Sequence, residues 1–220
     1  MNLKNNLSDI HKRIDAAAKR AGRESSDVTL ICVSKTVPAR TINEAVCLGE
    51  KVFGENHPQE LRDKFDSVPD AVWHLIGHLQ TNKVKYAVGR AALIHSVDSL
   101  HLAEAINEQA EKKEIVQDIL LEVNISGEES KYGLTITQIP TIIKEIACLK
   151  NLNFRGFMTM APLGASEEEI RSIFSRARKL FREHQHDGAT ILSMGMSGDF
   201  EIAVEEGATH VRVGSAIFKR

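Results

Sequence analysis

A chain of 220 residues, 42% of them hydrophobic, is long enough to bury a full core, and this length accommodates one or two domains. Its 28 Lys and Arg against 30 Asp and Glu leave a formal net charge of −2, which argues against binding nucleic acid by bulk phosphate neutralisation. No apolar run is long enough to span a bilayer, the start (Met1-Asn2-Leu3-Lys4) is not signal-like, and the 3 cysteines, Cys32, Cys47 and Cys148, fit neither a disulfide framework nor a zinc ribbon. A cytoplasmic chain that contacts no membrane is expected.

The opening stretch reads as an amphipathic helix, with Leu3, Leu7, Ile10, Ile14, Ala17 and Ala21 at three- and four-residue steps and Gly22 as its stop. Val28 to Ser34 is an apolar, β-branched run of the kind buried on both faces of a parallel sheet, and Pro38 opens a helix to about Gly49. The rhythm repeats: strands at Lys51 to Gly54, Val72 to Ile76 and Ala92 to Ser96, with helices to about Phe65, over Asn82 to Val88, and from Asp98-Ser99 to about Lys113. Asp118 to Ile125 is the clearest strand, and a helix over about Ile136 to Leu149 follows it. Asn153 to Met160, Thr190 to Met194 and His210 to Gly214 complete the strands, with helices from the Ser166 cap to about His184 and over Gly198 to Glu206.

This gives eight strands and seven following helices, plus the helix in front. Strict alternation with short connections means parallel strands and right-handed crossovers, and eight strands favour a closed (β/α)8 barrel over a doubly wound open sheet. No linker or low-complexity stretch divides residues 1–220, so a single-domain α/β TIM barrel is expected. No helix is expected after strand eight, and the N-terminal helix is expected to cover that gap.

Function in a barrel sits at the carboxyl ends of the strands. Those positions are Lys35, Asn56, His74 and Gly77, Ser96 and Asp98, Asn124, Met158 and Met160, Ser197, and Arg212 with Gly214 and Ser215. Lys35 ends the most apolar strand, where an amine at a low-dielectric wall suits attack on a carbonyl to form a Schiff base; equally, its stem packs and its head reaches water. Ser197 and Gly198 follow strand seven at an expected helix start, and Gly214 and Ser215 follow strand eight. The two loops together point to a phosphate site, since helix N-terminal amides and glycine backbone approach anions closely. Arg212 shares a strand face with Gly214 and either meets a ligand or balances Asp199, Glu201 or Glu205. Asn56 either bonds a ligand or closes a turn. The 9 histidines form no metal-ligand spacing: Gly77 spoils the pair His74 and His78, and His184 and His186 are read as solvated.

These stretches resemble one family along nearly the whole chain. Val33-Ser-Lys-Thr36, Phe53-Gly-Glu-Asn56, Trp73 through Lys83, Ser96-Val-Asp98, Glu122-Val-Asn124, Lys131-Tyr-Gly133, Gly156 through Met160, Leu192 through Asp199 and Val211 through Ser215 are similar, in order, to the pyridoxal 5′-phosphate (PLP) homeostasis proteins. The resemblance implies a barrel like the alanine racemase N-terminal domain, with PLP held as an internal aldimine on Lys35. Ser197, Gly198, Gly214 and Ser215 would bind the phosphate, Arg212 would face the pyridine nitrogen, and Asn56, His74 and Met194 would neighbour the cofactor. The implied role is to carry or buffer PLP without an established reaction of its own, with PLP-requiring apo-enzymes as recipients. Apart from the resemblance, a monomer is the expected state. Two departures stand out: His57-Pro58 replaces the family's tyrosine and small apolar residue, and Phe218-Lys-Arg220 lacks a common glycine.

The alternatives are a PLP-dependent racemase and an aldolase-like barrel. Racemisation needs acid/base groups on both faces of a carbanion. Lys35 supplies one, and the tyrosines, Tyr86 and Tyr132, are read as lying in a helix and a loop. Aldolase-like barrels usually carry the lysine on later strands and leave Arg212 without an obvious partner.

Overall fold

The computed structural model describes residues 2–128 and 132–218; Lys131 of the matched Lys131-Tyr-Gly133 stretch, and Lys219 and Arg220, lie outside the described residues. Eight parallel strands close into a barrel in chain order, with the last paired to the first: β1 (Thr29–Val33), β2 (Val52–Glu55), β3 (Val72–Leu75), β4 (Leu93–Val97), β5 (Gln117–Glu122), β6 (Leu152–Met158), β7 (Ile191–Ser193) and β8 (His210–Val213). Around it run α1 (Leu3–Arg20), α2 (Ala39–Cys47), α3 (Pro58–Phe65), α4 (Val84–Ala87), α5 (Leu100–Glu111), α6 (Ile139–Ile146), α7 (Glu167–Glu183), α8 (Phe200–Glu205) and α9 (Ser215–Phe218). The (β/α)8 architecture expected from the alternation is the one observed.

Local chemistry sets the helix starts. Ser99 caps α5 by accepting the Leu102 N–H at 3.3 Å, and Ser166 and Glu169 form a reciprocal capping box at the start of α7. Ser197 does not cap a helix as expected. It lies in a turn, and α8 begins only at Phe200 with Asp199 as its boundary residue.

A second difference concerns the end of the barrel. β8 is followed by α9, one four-residue turn, where no helix was expected. The Gly214 carbonyl accepts the N–H groups of Ile217 and Phe218 at 2.9 Å each, and the Asn6 side chain donates to the Ile217 carbonyl at 2.8 Å. This turn is too short to fill the ring, and α1 packs beside it and α8 through its buried stripe Leu3, Leu7, Ile10 and Ile14. Ion pairs Arg13–Glu201 (2.8 Å) and Arg20–Glu205 (2.6 Å) fasten the same seam, so Glu201 and Glu205 are committed to partners other than Arg212.

Strand alternation divides the buried residues. Trp73 and Leu75 of β3, Ile94 of β4, Leu192 of β7, and Val211 and Val213 of β8 face the helices in the main core. The opposite positions fill the barrel: Leu93, Leu120 and Met158 form a separate small apolar cluster with Ile191. Beside them lie the buried polar residues His74, His95, Ser193, Glu122 and Arg212. The polar residues are concentrated toward the carboxyl ends of the strands, where the loops open.

Candidate functional site

A cavity of about 470 Å³ occupies the carboxyl end of the barrel. Lys35 and Asn56 contribute one side; Ser197, Gly198, Arg212, Gly214 and Ser215 contribute the other. Seven of the nine residues that the resemblance assigned to the cofactor thus line one cavity, together with Gly77 and Met160 from the strand ends. His74 and Met194 do not line it. His74 faces the barrel interior below, and Met194 is wholly buried in the core between sheet and helices.

Lys35 is exposed, whereas the sequence suggested an amine emerging from a low-dielectric wall. Burial falls instead on the preceding Ser34, because the strand has left the sheet by residue 35 and the cavity mouth admits water. Asn56 is held by close packing from β3: a Cβ on Gly77 would lie 2.2 Å from the Asn56 carbonyl oxygen, so only glycine lets the two loop backbones meet. The loops after β7 and β8 are joined directly, since the Gly214 N–H donates to Ser197 Oγ at 3.2 Å. A Cβ on Gly214 would approach the Val33 Cβ and carbonyl oxygen at 3.0 Å, so this loop also lies tightly against the end of β1.

Arg212 is buried beneath these loops. It donates to Ser193 Oγ at 2.6 Å and to the Thr159 carbonyl at 3.0 Å. From Ser193 the hydrogen bonds continue to His95 Nδ1 (3.0 Å) and from His95 Nε2 to His74 Nδ1 (3.0 Å). A guanidinium is only a donor, so Ser193 Oγ accepts from Arg212 and keeps its own hydrogen available to His95 Nδ1, and between the two rings one nitrogen donates and the other accepts. Both rings are neutral in this arrangement. Burial, with His210 stacked nearby, lowers His74 to about 3; burial, His74 and Arg212 lower His95. Burial also lowers Arg212 to about 10, against the opposing charges of Asp199 and Glu122.

Several lining residues escaped the sequence reading. His78 stands 3.5 Å from Asp98 and stacks on the Tyr132 ring at 4.3 Å between centroids. Glu122 ends β5 on the cavity wall, and burial together with Asp98 raises its carboxyl to about 7, with Arg212 opposing. A carboxylate inside the apolar run Asp118 to Ile125 is the available signal for Glu122. For His78 and Tyr132 no local pattern existed, since their pairing joins loops 54 residues apart (132 − 78). His184, read as solvated, instead bonds Asp187 at 2.6 Å and packs on Phe157. Among the described residues no cluster of three or more His, Cys, Asp or Glu is arranged to hold a metal ion.

The family model for the alanine racemase N-terminal domain matches residues 6–220. The pyridoxal phosphate homeostasis protein of Aquifex aeolicus (strain VF5) is 44% identical over 223 residues, covering 99% of this chain and 98% of that protein. The chain belongs to the pyridoxal phosphate homeostasis protein family. Two solved structures of similar sequence share its shape. An unknown protein from Bifidobacterium adolescentis has a TM-score of 0.94 at 36% identity, covering 99% of this chain and 94% of that one. PipY of Synechococcus elongatus PCC7942 with PLP bound has a TM-score of 0.84 at 35% identity, covering 98% and 99% respectively. The shape of this chain is thus shared with both proteins although about two-thirds of the aligned residues differ. Among the described residues no helix is long and apolar enough to cross a membrane.

Proposed function

We propose that this chain binds PLP through a Schiff base on Lys35 and serves intracellular PLP homeostasis as a carrier or buffer. The observation that carries the reading is the meeting, in one cavity, of an accessible lysine amine with two joined loops rich in glycine and serine. PLP supplies a reactive aldehyde, an electron-withdrawing pyridine ring and a phosphate. The residues present suit each part. Gly198 has open space where a Cβ would stand, leaving its backbone bare to an anion, and Ser197, Gly214 and Ser215 complete a phosphate cup. Arg212, held from behind by Ser193 and Thr159, presents its guanidinium to the ring edge, and Asn56 borders it. His74 acts only through the chain of hydrogen bonds from Arg212, and Met194 only by packing. The bound relative PipY supports the ligand.

In this reading the chain is one barrel domain over residues 1–220, a cytoplasmic monomer that catalyses no reaction of its own and passes PLP to PLP-requiring apo-enzymes. One observation favours a second reading, an amino-acid racemase: Tyr132 lines the same cavity as Lys35. The residue is 64% exposed, which leaves any proton it handled open to bulk water.

Adding PLP to the purified protein should give the yellow absorbance of a protonated Schiff base, and Lys35→Ala should abolish that band while the protein remains folded, since the side chain is exposed. A colourless wild type overturns the reading. Exchange of the α-proton of alanine in heavy water, lost in Lys35→Ala, would favour the racemase.

A further inference from the structure

The turn that presents Lys35 is strained and externally held. Thr36 adopts φ +60°, in the left-handed region that β-branched residues rarely enter. Strain of this kind persists where surrounding structure over-determines it. Here the surroundings are three ionic residues from β2 and α3. Lys64 Nζ donates to the Ser34 carbonyl (2.9 Å), to Glu55 Oε1 (2.7 Å) and to Glu60 Oε2 (3.1 Å), which uses all the donors of an ammonium. Glu60 Oε2 accepts the Thr36 N–H at 3.0 Å, and Glu55 Oε1 also accepts the Ser34 hydroxyl at 2.7 Å. The residues on both sides of Lys35 are therefore gripped by one network.

The network is sheltered. Glu55 is fully buried and only 13% of the Lys64 side chain is exposed. Burial works against charge on Glu60, yet the Thr36 N–H and Lys64 hold its carboxyl below the usual value. None of the three lines the cavity, so none touches a ligand there. An ion pair that served only to fasten α3 to β2 would not need to bond both neighbours of Lys35.

We propose that Glu55, Glu60 and Lys64 form a clamp that holds the Ser34–Thr36 turn and so aims the Lys35 amine into the cavity, as positioning residues for carbonyl capture. The inference rests on the reading of Lys35 as the amine that binds PLP. The clamp sets where the amine stands, while the phosphate cup, built on other strands, is independent of it.

The test compares PLP with pyridoxine 5′-phosphate, which keeps the ring and phosphate but has an alcohol in place of the aldehyde. In Glu60→Ala and Lys64→Met, stopped-flow absorbance should show Schiff-base formation with PLP slowed about 10- to 100-fold, the loss of a hydrogen bond to a charged group. Calorimetric affinity for pyridoxine 5′-phosphate should change by less than about twofold. Thr36→Gly added to Glu60→Ala should bring the rate back to within about threefold of wild type, because glycine takes this φ without steric cost. If Lys64→Met leaves Glu55 buried without its cation and fails to fold, Glu60→Ala, at a partly exposed site, decides the matter. Unchanged Schiff-base rates, equal losses with both ligands, or no rescue by Thr36→Gly would each overturn the clamp. A wild type that forms no Schiff base overturns the functional reading and the clamp with it, an outcome distinct from a defect confined to the variants.

Discussion

The corner of the cavity at β1 and β2 and the corner at β7 and β8 are built from opposite materials. The first depends on charged side chains: Lys35 itself, with Glu55, Glu60 and Lys64 beneath it. The second presents small residues, Ser197, Gly198, Gly214 and Ser215, and joins its loops through one backbone N–H and one hydroxyl. The difference suits the chemistry proposed for each. An anion is held well by converging backbone amides, which need only close approach and small neighbours. Capture of an aldehyde needs one amine at one place on a flexible four-carbon stem, so the backbone carrying that stem must be fixed by other side chains.

If the corners are independent, each should fail in its own way. The largest effect is the complete loss of the absorbance band in Lys35→Ala, with pyridoxine 5′-phosphate still bound by the cup. Next comes Gly214→Ala, whose new Cβ would sit 3.0 Å from the Val33 carbonyl oxygen and force the β8 loop away from β1. PLP affinity measured by titration should fall about 10- to 100-fold while the full band is still reached at saturation. A band that never develops would show the corners to be coupled.

Glu122 stands between the corners and makes a pH-dependent contribution. Its folded value, about 7, is raised above the ordinary 4.5. The folded state therefore binds a proton that the unfolded chain releases, and this contribution is fully present below 4.5 and lost as pH rises through about 7. Glu122→Gln should be more stable than wild type at pH 8 by on the order of 1–3 kcal/mol in denaturant unfolding, with the difference closing toward pH 5. A constant difference across that range would contradict the raised value. The smallest effect is expected from Ser197→Ala, which removes the acceptor of the Gly214 N–H: about 1 kcal/mol, or about fivefold in PLP affinity, with little change in Tm.

How much of this was legible in the chain differs between the two corners. Lys35, Ser197, Gly198, Arg212, Gly214 and Ser215 could be placed at strand ends by counting alternation, because in a barrel the end of a strand is itself the address of the site. The clamp could not be read in this way. Glu60 and Lys64 have the i,i+4 spacing of an ordinary exposed helix pair, and only the packing of α3 against the end of β1 turns them inward. His74 shows the reverse: the resemblance names it a cofactor neighbour, while the pleat points its ring into the barrel toward His95 and away from the cavity lining. Met194 likewise follows β7 at the right height but on the helix-facing side.

Periodicity and turn residues carry the order of elements, the barrel, and the two ends at which an amine and an anion can be held, since these depend on near neighbours in the chain. Packing alone settled which side chains share the cavity and which lie beneath it. His78 meets Tyr132, Lys64 meets Ser34, and α1 meets α8 and the short α9 across long stretches of sequence. Closure of the barrel brings such pairs together, and no local pattern specifies them.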